Sequence, residues 1–93
     1  MTPNGYPDDV EISKIENWSV RDPYGLMEYV RTLWNYPKYF RSQGRNFTIA
    51  TGGWSGNETL IQALRRNFVF WGVCWESSHR GGLYKFRLPE AKP

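Results

Sequence analysis

The sequence predicts a small α+β domain: an antiparallel sheet of about three strands with two helices packed on one face, in the order α-β-α-β-β. Three observations predict it. Asp22-Pro23 opens a stretch whose apolar residues recur at helical spacing. Thr48 to Asn67, TIATGGWSGNETLIQALRRN, reads as a short strand, a glycine-rich turn and a second helix. Phe68 to Trp75 is the most apolar run in the chain, and Leu83 to Leu88 alternates behind it.

In chain order, residues 1–9 hold two prolines, a glycine and two aspartates and read as a flexible arm. Val10 to Ile15 fits either a short edge strand or a first helical turn. At Asp22-Pro23 the aspartate suits the N-cap and the proline the first helical position. Leu26, Met27, Val30, Leu33 and Trp34 then share one helix face. Pro37 ends that helix and pushes Tyr36 out of helical geometry. Tyr36 to Arg41 fits a single helical turn that plugs Tyr39 and Phe40 into the core, and 42–44 a loop.

Asn46 to Thr51 is expected as a strand with Phe47, Ile49 and Thr51 on one face. Ser55 and Glu58 have the S-x-x-E spacing of a capping box. Leu60, Ile61 and Leu64 give the following helix an apolar face, and Arg65 and Arg66 complement its dipole in the last turn. Phe68 to Trp75 is apolar on both alternating faces, as a covered central strand would be. Glu76 to Gly82 is a turn, and Leu83 to Leu88 a return strand with Lys85 and Arg87 on one face. Pro89 stops it, leaving a short tail at 90–93.

Three segments, TGGWSGNETLIQAL, FWGVCW and RGGLYKF, resemble a group of small proteins encoded in phages and prophages. The resemblance covers about residues 47 to 88. It implies an accessory protein made during infection. It brings no activity, cofactor or catalytic residue with it.

Ninety-three residues make one domain with a modest core. Five Trp, six Tyr and five Phe exceed what such a core needs, so some rings are expected at the surface. No run approaches a membrane span, and the N-terminal ten residues lack the basic and apolar regions of a secretory signal. A lone cysteine, Cys74, reads as a buried small thiol. These points suggest the cytoplasm, that of a host cell if the resemblance holds.

The net charge of +3 is unevenly spread. Residues 1–43 hold five basic and six acidic groups, net −1; residues 44–93 hold seven basic and three acidic, net +4. The basic half favours polyanions. Two elements are candidate ligand sites. The first is the glycine turn, Gly52, Gly53, Trp54, Ser55 and Asn57, at a helix N-terminus where backbone N–H groups suit anions. It lacks the lysine and spacing of a P-loop. The second is a sheet surface interleaving Trp71, Trp75, Arg80, Lys85 and Arg87, where rings and cations together suit bases and phosphates.

The function expected is therefore non-enzymatic binding of a nucleic acid or nucleotide. The alternative is inhibition of a host protein, such as a defence component, through the same rings and arginines. A homodimer would also use exposed rings. One histidine, His79, and one cysteine leave no usual metal ligand set. His79 beside Ser77 and Ser78 lacks an orienting acid, so no catalytic residue, metal or cofactor is expected.

Overall fold

The computed structural model describes residues 2–90, so most of the tail expected at 90–93 lies outside the described residues. The described chain is α+β, with a four-stranded antiparallel sheet and four α-helices. The order is α1 (Asp9–Glu16), α2 (Pro23–Leu33), a 3₁₀ turn (Pro37–Tyr39), β1 (Phe40–Gln43), β2 (Asn46–Ala50), α3 (Ser55–Arg66), α4 (Phe68–Cys74), β3 (Trp75–His79) and β4 (Leu83–Arg87). This adds a strand and two helices to the expected plan.

Each difference has a local cause. Asp8 and Glu11 form a capping box, the carboxylate of Asp8 accepting from the Glu11 N–H at 2.8 Å and that of Glu11 from the Asp8 N–H at 2.9 Å. Two of the orphan donors at the start of α1 are thereby satisfied, and Val10 to Ile15 becomes helix rather than strand. After Pro37 the helical turn lasts only to Tyr39, and Phe40 starts an edge strand paired with β2 across the two-residue turn Gly44-Arg45. The expected loop at 42–44 is thus mostly strand. Asn67 accepts from the Phe70 N–H at 3.4 Å and caps α4, so Phe68 to Cys74 coils instead of extending. Phe70 and Cys74, one turn apart, are its buried residues. Trp75 is the only residue of the expected central strand that is in the sheet.

The predicted helix at Asp22-Pro23 forms as α2, with the Asp22 carboxylate accepting from the Gly25 N–H at 3.0 Å. Its stripe, Leu26, Met27, Val30, Leu33 and Trp34, is buried throughout. It meets Phe47, Ile49 and Phe86 from the sheet and Leu60, Ile61 and Leu64 from α3 in one core. Residues 2–8, expected as an arm, turn back through Thr2 and Tyr6 and lie against the body of the fold: the Asn35 amide donates to the Gly5 carbonyl at 3.2 Å, and Pro7 is buried.

The strand order is β1-β2-β4-β3. Phe47 pairs with Phe86 and Ile49 with Tyr84, so their side chains share the helix-covered face. The residues between them face the other way and are exposed or half-buried. The β3–β4 turn closes against the end of β2: the Thr51 N–H donates to the Gly82 carbonyl at 3.0 Å. Gly82 has φ +75°, and a Cβ there would collide with the Thr51 hydroxyl, so only glycine fits.

Candidate functional site

The residues singled out by the sequence fall into three places. The first is the glycine turn between β2 and α3. Gly52 and Gly53 both take positive φ and are exposed. A Cβ on Gly52 would lie 3.2 Å from the Tyr39 ring and 3.3 Å from that of Tyr36. Tyr36 is itself left-handed, at φ 62°, a conformation that costs a non-glycine residue free energy.

The capping box expected at Ser55 and Glu58 is not the one that forms. Trp54 is the N-cap of α3, and no side chain caps it. Ser55 lies in the first turn, where its hydroxyl hydrogen-bonds that of Tyr6. The Trp54 indole lies over Gly56, where a Cβ would collide with it, and against the Tyr6 ring with centroids 5.0 Å apart. Asn57 is fully buried. It accepts from the Asn35 N–H at 2.9 Å and donates to the carbonyls of Asn35 and Thr51 at 2.9 and 3.2 Å. Ser55 and Asn57 thus hydrogen-bond within the fold, Trp54 packs on Tyr6 with its buried indole N–H lacking a hydrogen-bond partner among the described residues, and Gly52 and Gly53 face solvent.

The second place is the end of α4. Trp71 and Trp75 stack with centroids 5.9 Å apart and planes 14° apart. Trp71 meets Phe86 edge-on at 5.5 Å and Tyr84 at 6.4 Å. The Arg65 guanidinium lies 5.1 Å from the centre of the Trp71 ring. Trp75 pairs across the sheet with Phe86, and its indole N–H donates to the Ser78 hydroxyl at 2.9 Å. Both tryptophans therefore belong to the helix-covered side of the sheet, a consequence of α4 being a helix.

The third place is the open side. Lys85 and Arg87 alternate with Phe86 and so point away from the core. The strand pairings align Arg41, Thr48, Lys85 and Ser77 in one row across all four strands. Gln43, Asn46 and Arg87 form the next row. The four strands contain a single acid, Glu76, at the irregularity in β3. Arg80 sits exposed in the β3–β4 turn. The expected surface of mixed rings and cations is thus divided: its tryptophans lie on one side of the sheet and Lys85 and Arg87 on the other. Sequence reasoning misses Arg41 and Arg65. The first lies in a strand that the sequence does not announce, and the second has a helix C-terminus as sufficient reason for its charge.

Other chemistry is sparse. Ser77 and His79 hydrogen-bond on the open side at 2.9 Å, on neighbouring positions of the same strand face. Among the described residues no group of three or more His, Cys, Asp or Glu could hold a metal ion. Cys74 is buried, and burial raises its thiol from 9.0 to about 11, which keeps it protonated and unreactive. Among the described residues no helix is long and apolar enough to cross a membrane.

No family model, curated protein or solved structure matches the chain.

Proposed function

We propose that this chain is a non-enzymatic binding module that holds the phosphate backbone of a nucleic acid on the open face of its sheet. The observation that carries the proposal is the cationic row itself. Arg41 and Lys85 stand two strands apart in one row, roughly 10 Å by ordinary strand spacing. Arg87 lies two residues further along β4, roughly 7 Å from Lys85. Thr48, Ser77, Gln43 and Asn46 stand among them as hydrogen-bonding groups. Cations spread over such a surface suit several phosphates in succession better than the single group of a mononucleotide. The open rows contain no Trp, Tyr or Phe, so the contact is mainly to backbone rather than to stacked bases, and carries little sequence preference. The resemblance of residues 47–88 to phage and prophage proteins supports placing the module among accessory proteins of infection.

The test is fluorescence anisotropy of labelled duplex DNA, single-stranded DNA and duplex RNA at low and moderate salt. Binding should weaken with salt, log K falling against log salt with a slope of about 0.9 per duplex phosphate engaged. Arg41→Gln, Lys85→Gln and Arg87→Gln together should flatten that slope by two to three times that amount. Because Trp71 and Trp75 lie on the covered side, tryptophan emission should change little on binding. Absence of binding at low salt, or binding indifferent to the triple substitution, would overturn the proposal.

A further inference from the structure

Helix α4 contains no charged residue, and only Phe70 and Cys74 of its seven are buried. Phe68 is 81% exposed, Val69 54% and Val73 60%. These are not scattered positions. Phe68, Val69, Gly72 and Val73 stand at i, i+1, i+4 and i+5, and so share one face of the helix. Val69 and Val73 line a depression together with Val20, which is 53% exposed. Val73 continues into a second depression that reaches Trp75, 41% exposed.

We infer that this face is where two copies of the chain meet, about a two-fold axis, each Phe68 ring lying on Gly72 of the other copy. Three features favour a second copy over other occupants. The first is area. With large side chains offering about 150–250 Å² each, the exposed parts of these five residues amount to roughly 500 Å². That lies in the upper half of the range for a monomer's largest patch, about 300–600 Å² and often functional, and two such patches reach the roughly 1,000 Å² at which specific interfaces begin.

The second is self-complementarity. A two-fold interface requires that if residue i touches residue j, then j touches i. When two α4 helices cross antiparallel, position 68 of one faces position 72 of the other, twice. Phe68 supplies the projecting ring, and Gly72 the space: a Cβ there would meet nothing within 4 Å. Projecting ring and bare backbone stand one turn apart on the same face. The third is chemistry. Residues 67–75 carry no charge, and the charged Arg45, Glu76 and Arg87 border the patch only along the depression that reaches Trp75, where a polar rim belongs. Helix α4 packs on the covered side of the sheet through Phe70, Trp71 and Phe86, so the row of Arg41 and Lys85 stays free in the pair, with Arg87 at the edge of the patch.

The experiment is sedimentation equilibrium of the 93-residue chain from low to high micromolar, with circular dichroism to verify the fold of each variant. Phe68→Ser removes the ring, and Gly72→Leu covers the bare backbone; both positions face solvent in the single chain, so neither change disturbs its core. A reversible monomer–dimer equilibrium, with dissociation raised at least about tenfold by each substitution, is the expected result. A monomer across the whole range overturns the inference, as does a dimer indifferent to both substitutions. A monomer that sediments with phosphatidylserine vesicles also overturns it and assigns the face to lipid.

Discussion

Helix α3 buries Leu60, Ile61, Ala63 and Leu64 and shows solvent Glu58, Gln62, Arg65 and Arg66. Helix α4, one residue later, buries Phe70 and Cys74 and shows solvent Phe68, Val69 and Val73. Every side chain on α3 is accounted for by the fold of one chain. On α4 the core takes Phe70 and Cys74, with Trp71 packed against it, and Phe68, Val69 and Val73 are left uncovered in the monomer. The hydrophobic effect is indifferent to whether the covering surface comes from the same chain. The difference between the helices is therefore one between an element explained by folding and an element whose composition points outward.

That contrast can be broken first at the core. Phe70→Ala should cost about 3–5 kcal/mol in urea denaturation, because it empties a site packed against Phe86. If α4 were only loosely attached, the loss would be far smaller. Next in size is the joint between the helices. The buried Asn67 amide donates to the carbonyls of Ile15 and Trp18 at 3.0 and 3.2 Å while its oxygen caps α4. Asn67→Ala leaves these groups without partners and should cost about 1–3 kcal/mol by the same measurement.

A smaller effect arises in alkali. Burial holds the Cys74 thiol at about 11 in the folded chain against 9.0 ordinarily. Over that window the unfolded chain gives up a proton that the folded chain keeps. Stability contributed by the protonated thiol is complete below pH 9 and falls as pH rises towards 11. Denaturation of wild type and Cys74→Ala compared from about pH 8 to about pH 11 should show wild type losing the more. Last, Phe68→Ser should leave the monomer's stability within about 0.5 kcal/mol, as expected of an exposed position. Paired with Phe70→Ala, it separates the two sides of one helix in a single experiment.

The legibility of this fold in its sequence divides along the same line. The α2 stripe can be read because all five residues are buried at one period. The facing of Lys85 and Arg87 can be read because β4 alternates cleanly. The run from Phe68 to Trp75 cannot, since a run apolar at every position has no period to choose helix over strand. Its one clue is Asn67, a residue fit to cap a helix that starts at Phe68. The box at Asp8 and Glu11 has the same spacing as the pair at Ser55 and Glu58. The second does not form, because α3 begins at Ser55 with Trp54 as its N-cap and the Ser55 hydroxyl bonds Tyr6, 49 residues away, a contact that spacing cannot carry. The candidate site is legible as charge, but its division between two sides of the sheet depends on α4.

The buried asparagines have one more consequence. Asn57 ties the start of α3 to the segment after α2, and Asn67 ties its end to the last turn of α1 and the residues just after it. Both ties are neutral amides, which salt screens very little. The charged link between α1 and α3, Arg66 to Glu16 at 3.3 Å, is exposed and contributes little. On the proposed function, ionic strength can therefore be raised far enough to strip a polyanion from the open face without loosening the fold beneath it. Folding and the proposed binding would then answer to separate variables.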